Sequence, residues 1–350
     1  MSSLSDFKKK HITLMNALFT IAVPVVVWLV MELLNVTVCG VHTLASTVDL
    51  TTLMRNLAST FCFALGLNCN MPQGRMDTST GAQMYLACIL GGNVALSLNL
   101  GGIGILAFSL VLGLILGGFT GLLFIKLRIL PMVLGLGISL VYECISFSMY
   151  DQQGLNLFGM NGVEILSNKV FIIVVTLLVI AVMTYMFQYS SFGYNRRAIQ
   201  GNQKLANDSG INIYVNAVLC YTLAGALVAV AGVFDTAYKS NLVPVLGMSS
   251  NSTVFAAMFP MAVGMWLSKK SNPVIGILAG ALAVQILVIG LSKFTAVGLS
   301  SYWQTCLKYG CWLAFMIYRM NEDKMMQMKA RRERAALARR TRAQRSAAVA

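Results

Sequence analysis

Tyr189-Ser190-Ser191-Phe192-Gly193-Tyr194-Asn195-Arg196-Arg197-Ala198-Ile199-Gln200-Gly201-Asn202-Gln203-Lys204-Leu205-Ala206-Asn207-Asp208-Ser209-Gly210-Ile211 is a polar insert between two apolar runs, Val170 to Gln188 and Ile213 to Phe234. A structureless loop of about twenty residues is uncommon, and such loops are generally functional. The punctuation here predicts two short helices instead. Asn202 is a good N-cap for the second, Gly210 suits its C′ position, and Gly201 separates the halves. Ala198, Ile199, Leu205 and Ala206 offer an apolar contact face, surrounded by Arg196, Arg197 and Lys204. On charge alone the insert reads as a cytoplasmic loop that fixes topology.

The composition around it excludes a soluble chain. Of 350 residues, 57% are hydrophobic and 11% charged, with a mean hydropathy of +0.73. Apolar runs long enough to cross a bilayer recur along the whole length. The expectation is an all-α, polytopic integral membrane protein with about ten transmembrane helices. Their limits fall at 13–34, 53–70, 81–99, 101–125, 130–148, 170–188, 213–234, 252–268, 273–291 and 299–318. Residues 1–318 then form one transmembrane domain and 319–350 a basic tail.

Charge tests this drawing. With both termini in the cytoplasm, the inner side carries Lys8–Lys10, Arg75, Lys126, Arg128, the insert's cations, Lys269, Lys270 and the tail. Asp49, Asp151, Glu164 and Asp235 gather outside with Lys169, Lys239, Lys293 and Arg55. That asymmetry is what the positive-inside rule requires. Lys8–Lys10 before Thr13–Leu34 imitate a signal peptide, but the run is too long for an h-region and lacks a small-x-small cleavage site. It reads as a retained first span. From Arg319 onward ten Lys or Arg face only Glu322, Asp323 and Glu333, which is half of the net +14. No aromatic residue follows Tyr318 to stack on bases, so the tail reads as a topology anchor that also touches anionic lipid rather than as a nucleic-acid binder.

Other chemistry is sparse. The eight cysteines form no CxxC pair and have only His11 and His42 for company, so they read as buried thiols rather than metal ligands. No Gly-x-x-x-x-Gly-Lys-Ser/Thr loop is present to bind ATP, and there is no Ser/His/Asp or Cys/His set. The chain reads as non-enzymatic and without a cofactor of its own. Gly113-x-x-x-Gly117-x-x-x-Gly121 puts three small residues on one face, for packing within the chain or between subunits. The loop from Tyr150 to Lys169 reads as a long external connection. Asn68-Cys69-Asn70-Met71-Pro72-Gln73-Gly74-Arg75-Met76-Asp77-Thr78-Ser79-Thr80-Gly81 interrupts two apolar segments with proline, glycine and polar side chains. Irregular backbone at membrane depth is tolerated where it lines a cavity or is buried in protein, and such breaks often flank transport pathways. Asn68, Asn70, Gly74, Asp77, Ser79 and Gly81 are the candidate pathway residues. Asp77 either pairs with Arg75 or caps the following helix.

Order and spacing in the insert carry more than its charge. Phe-Gly-x-Asn-Arg-Arg-Ala-Ile-x-Gly-Asn-x-x-x-Ala-x-x-Ser-Gly-Ile resembles the cytoplasmic coupling loop of the membrane subunits of bacterial ABC importers of the ribose, galactose and xylose type. Gly-x-Met-Asp-x-Ser-x-Gly at 74–81 resembles the Gly-Gly-Ile-Asp-Leu-Ser-Val-Gly signature of the same family; Arg75, Met76, Thr78 and Thr80 depart from it. Pro131, Gly225, Ala231, Gly232 and the run from Trp303 to Gly310 agree, so the resemblance covers roughly residues 50 to 318. It implies the permease fold, with Gly193, Arg196, Arg197, Ala198, Gly201, Asn202, Ala206 and Gly210 coupling the chain to a separate ABC ATPase subunit that binds ATP and Mg. It also implies a second permease subunit, an extracytoplasmic solute-binding protein, a bacterial plasma-membrane location, and a small polar solute such as a monosaccharide. Most glycines of the family's segment before the ninth span are replaced in Val263-Gly264-Met265-Trp266-Leu267-Ser268-Lys269-Lys270-Ser271-Asn272-Pro273, which leaves homodimer and heterodimer open. The competing reading is an ion-coupled secondary transporter, for which Glu32, Glu143 and Lys308 are the ionisable candidates.

Overall fold

Apolar runs become helices because no water is present in a bilayer to satisfy the backbone. In the computed structural model these are α1 (Ser2–Leu34), α2 (Thr47–Asn70), α3 (Thr80–Ser97), α4 (Gly101–Leu127), α5 (Pro131–Ser148), α6 (Lys169–Gln188), α7 (Ser191–Gly201), α8 (Gln203–Asp208), α9 (Ile213–Lys239), α10 (Asn251–Leu267), α11 (Pro273–Lys293) and α12 (Ser301–Val349). The structure describes the backbone of residues 2–349 and the side chains of 18–322, 324–328, 330, 331 and 333. The side chains of Lys8–Lys10 and of the tail beyond Glu333 lie outside the described residues.

Six helical segments among the described residues are long and apolar enough to cross a membrane: Leu18–Cys39, Gly101–Leu127, Pro131–Ser148, Lys169–Gln188, Ile213–Lys239 and Pro273–Val297. Asn251–Leu267 is apolar but shorter. The spans expected at 53–70, 81–99 and 299–318 are helical as well, on α2, α3 and α12. α2 and α3 are diluted by buried polar residues, among them Asn68, Asn70, Thr80 and Gln83. The chain divides into one compact unit over 1–293 and another over 294–350. In the second, α12 runs unbroken through position 318, and Gln304 donates to Thr295 Oγ1 (2.8 Å) and the Leu299 carbonyl (3.0 Å) ahead of it.

The first unit is organised on α9. It lies along α4 and α2, while α3 packs on α4, α10 on α11, and α1 on α11. The α4–α9 contact is backbone on backbone. A methyl group at Gly113 would collide with the Gly225 carbonyl, one at Gly117 with the Tyr221 carbonyl, and one at Gly225 with the Gly113 carbonyl. Lipid supplies no hydrophobic force between helices, so close approach and dispersion hold them together. The glycine stripe is thus spent within the chain. Gly264 and Gly280 do the same between α10 and α11, where a Cβ on Gly280 would lie 2.6 Å from the Gly264 nitrogen.

The loop from Tyr150 to Lys169 is more than a solvated connection. Its strand Leu155–Asn156 pairs antiparallel with Asn241–Leu242, Leu155 opposite Leu242. Leu155, Leu157 and Leu166 are buried among Cys88, Ile105 and Val233. Asn93 donates to the Gly154 carbonyl (2.9 Å), and Arg55 to that of Ser167 (2.8 Å). The loop therefore plugs one end of the bundle, leaving Phe158 exposed at its tip.

Candidate functional site

The polar insert folds as its punctuation predicts. Ser190 Oγ accepts from the Gly193 amide (3.3 Å) to start α7, and Asn202 Oδ1 accepts from Leu205 (3.1 Å) to start α8. At the far end the Gly210 amide donates to Asn207 O (2.9 Å) and that of Ile211 to Ala206 O (3.1 Å). With Gly210 at φ +83°, this is a Schellman close.

Orientation sorts the expected residues into two sets. Gly193, Arg196, Ile199 and Ala206 face inward; Arg197, Ala198, Gly201, Asn202, Leu205 and Gly210 face outward. Gly193 is glycine for a steric reason, since a Cβ there would collide with the carbonyls of Met186 and Phe187 at the end of α6. Arg197 stays at the surface over the Tyr194 ring, 4.7 Å from its centroid. Tyr194, Ala198 and Leu205 leave an exposed apolar strip, so only half of the expected apolar face is used within the chain.

Arg196 is 3% exposed. Its guanidinium donates to the Asn68 carbonyl, to Asn68 Oδ1 (3.2 Å) and to the Cys69 carbonyl (3.4 Å), and lies over the Phe187 ring at 4.4 Å. Those carbonyls end α2, where the helix dipole is negative and backbone acceptors lack intrahelical partners. One side chain thus ties the insert to the segment that interrupts α2 and α3.

That interruption re-enters the bundle. After α2 a tight turn closes at Gly74, φ +75°, and the chain runs inward to Thr80. Asp77, 2% exposed, accepts through Oδ1 from the Ser79 amide (2.9 Å) and hydroxyl (2.6 Å). Gln83 donates to Ser79 Oγ (2.7 Å) and Thr120 Oγ1 (3.3 Å), and Thr120 meets the Tyr142 hydroxyl at 3.2 Å. Of the two roles open to Asp77, the structure takes the local turn ahead of α3. Neither terminal nitrogen of Arg75 has a partner among the described residues. Of the other candidates, Asn68 is engaged by Arg196, and neither amide atom of Asn70 is paired.

Gly81 reveals what sequence reasoning missed. A Cβ there would collide with the Ser250 carbonyl, because residues 243–250 form a second irregular segment, largely exposed, whose buried end at Ser250 packs on α3 and starts the short helix α10. The Glu143 carboxylate accepts from the amides of Met248 (2.8 Å) and Ser250 (2.9 Å) and holds that segment in place. The signal was legible: Pro244, Gly247 and the run Ser249-Ser250-Asn251-Ser252-Thr253 precede an apolar helix too short to span. An irregular segment after α2 thus meets the irregular start of α10 at Gly81 and Ser250.

The ionisable candidates for ion coupling are otherwise occupied. Glu143 is spent on backbone amides, and Glu32 binds His42 Nδ1 (2.5 Å) and the Thr43 amide (2.9 Å). Lys308 lies 5.3 Å from the Tyr309 ring centroid. Of the cysteines, Cys62, Cys69, Cys88 and Cys220 are buried, Cys144, Cys306 and Cys311 exposed, and all eight are unpaired.

Comparison with known proteins places this geometry. The family model described as branched-chain amino acid transport system / permease component matches residues 49–317. The galactose/methyl galactoside import permease protein MglC of Escherichia coli (strain K12) is 24% identical over 288 residues, 76% of this chain and 84% of that protein. The ribose import permease protein RbsC of Bacillus subtilis (strain 168) is 28% identical over 270 residues, 73% of this chain and 80% of that protein. The galactofuranose transporter permease protein YtfT of Escherichia coli (strain K12) is 25% identical over 195 residues, 53% of this chain and 55% of that protein. No solved structure matches. The chain belongs to this permease family: it is a non-catalytic, multi-pass membrane subunit of an ABC importer, a class that works with ATPase and solute-binding partners.

Proposed function

We propose that this permease forms the pathway for a monosaccharide, and that residues 189–211 are the element through which a separate ATPase subunit drives it. The observation that carries the reading is the seat of Arg196. An insert that only fixed topology would have no need to bury a guanidinium against the end of α2, next to the re-entrant segment. The exposed strip of Tyr194, Ala198 and Leu205, flanked by Arg197 and Lys204, is the surface offered to the ATPase, which binds ATP and Mg. Closure of two ATPase domains pushes α7 and α8, and Arg196 passes the displacement to the break at 71–79. Asn70, Asp77, Ser79 and Gly81 line the pathway there, shared with a second permease subunit.

A solute-binding protein delivers the sugar to the end closed by the 150–169 plug. Both termini and the insert lie in the cytoplasm, where the tail from 319 meets anionic headgroups. The sugar class rests on the galactose, ribose and galactofuranose named for the relatives. The test is purification of the tagged protein from its native cells in mild detergent, with every accompanying chain identified by mass. An ATPase subunit and a solute-binding protein are expected, and one permease species or two decides the symmetry. Isolation of the chain alone, with transport driven by an ion gradient in the absence of ATP, would overturn the reading.

A further inference from the structure

Six side chains around the 70–83 segment, each at least nine-tenths buried, carry hydrogen-bonding atoms with no partner among the described residues: Asn70, Gln73, Arg75, Asp77, Gln83 and Tyr221. They are contiguous. The Arg75 amide donates to the Asn70 carbonyl (3.3 Å), Gln73 reaches Cys220 Sγ (3.1 Å), and Asp77 joins Gln83 through Ser79. Tyr221 lies within electrostatic reach of both Arg75 and Asp77. Buried polar groups are paired in nearly all proteins, and a buried unpaired guanidinium is among the costliest exceptions. So many in one cluster mark a place where something else completes the bonding.

The balance of the unused atoms says what. Donors are Asn70 Nδ2, both terminal nitrogens of Arg75 and the Tyr221 hydroxyl; acceptors are Asn70 Oδ1, Gln73 Oε1, Asp77 Oδ2 and Gln83 Oε1. A carboxylate or a fully ionised phosphate ester only accepts. It would leave four acceptors unpaired and face the Asp77 charge. A sugar hydroxyl both donates and accepts, and a row of them satisfies donors and acceptors alike. Arg75 and Asp77 form no ion pair with each other among the described residues, and their opposite charges sum to zero. We infer that Arg75, Asp77, Tyr221, Asn70, Gln73 and Gln83 form an internal binding site for a neutral polyhydroxylated solute, so that the permease itself, and not only its binding protein, recognises the cargo. This rests on the importer reading above and adds a site to it.

The experiment uses the purified complex in lipid nanodiscs without solute-binding protein. Thermal unfolding is followed by tryptophan fluorescence with D-ribose, D-galactose, ribose 5-phosphate or inorganic phosphate added. A neutral sugar is expected to raise the midpoint by several degrees once it exceeds its dissociation constant roughly a hundredfold, and phosphate to leave it unmoved. Arg75→Met removes an unpaired buried charge, so its ligand-free midpoint stays level or rises while the sugar response disappears. Tyr221→Phe keeps the ring and weakens sugar binding roughly tenfold. Stabilisation by phosphate or ribose 5-phosphate alone would overturn the inference in favour of an anion site. A sugar response unchanged in Arg75→Met would also overturn it, as would no response to any probe. Any of these three results in a complex that still contains its ATPase removes the site and leaves the importer reading standing.

Discussion

Replacing Arg196 by Met tests whether the insert is mechanically joined to the pathway. The side chain makes two bonds to backbone carbonyls of α2 and one to the Asn68 amide oxygen, and it stacks on Phe187. At about 1.5 kcal/mol for each of two charge-assisted bonds to the helix end and about 1 kcal/mol for a cation–π contact, the tie is worth about 4 kcal/mol. Methionine fills similar volume but restores none of the bonds, and it leaves two carbonyls short of a partner. A loss of that size shifts the equilibrium between engaged and disengaged α7 by roughly a thousandfold. In proteoliposomes containing the complete importer, Arg196→Met should still bind the ATPase and hydrolyse ATP, while sugar taken up per ATP falls at least tenfold. Arg196→Lys keeps the charge without the fork and should fall between the two. Arg197→Met is the contrast: its side chain is at the surface, so the defect should lie in ATPase retention. Arg196→Met importer with wild-type uptake per ATP would refute the transmission argument.

Gly225→Ala puts a methyl group into the Gly113 carbonyl, and overpacking of this kind costs about 1–3 kcal/mol; a lower melting midpoint in detergent checks it. Gly137→Ala, with nothing within 4 Å of the added carbon, should leave the midpoint level or raise it, since alanine favours helix by about 1 kcal/mol. Leu155→Asn buries an unpaired amide beneath the 150–169 plug, and hydrogen exchange over 154–168 should accelerate while α9 stays protected. Asp49, in the first turn of α2 ahead of the expected span, is held below the usual carboxylate range chiefly by its bond to Lys293 at 2.8 Å. Its folded-state pKa being depressed, its stabilisation is full above the unfolded value near 4 and is lost as pH falls through the folded one. Asp49→Asn should therefore be less stable than wild type near neutrality, and the gap should close as pH falls through the folded pKa, read as melting midpoints across pH.

Much of this architecture is readable from the chain, because the local rules are strong. Asn202 and Gly210 announce the two short helices of the insert, and Gly113, Gly117 and Gly121 share one helix face whichever partner they meet. What escapes is orientation. Arg196 and Arg197 are adjacent and identical in charge, yet one is buried and the other is not; the cue was the three-residue spacing of Gly193, Arg196 and Ile199, which puts the arginine on the inward face. Arg75 and Asp77 invite pairing by proximity, but Asp77 Oδ1 is taken by the amide and hydroxyl of Ser79 instead. Leu155, Leu157 and Leu166 are too few and too scattered among polar residues to announce a buried plug. The irregular segment at 243–250 is marked by Pro244 and Gly247, but its anchor, Glu143, lies a hundred residues earlier and is not legible from local pattern.

The interlocked glycines of α4 and α9 restrict how such a protein can change shape. With backbone against backbone at Gly113, Gly117 and Gly225, neither helix can slide along the other without driving a side chain into a carbonyl. The pair behaves as a single strut. In the proposed mechanism, opening one end of the passage and closing the other would turn this strut as a unit, with the compliance in the irregular segments at 74–79 and 243–250. Those two segments would then be the joints about which a rigid scaffold pivots.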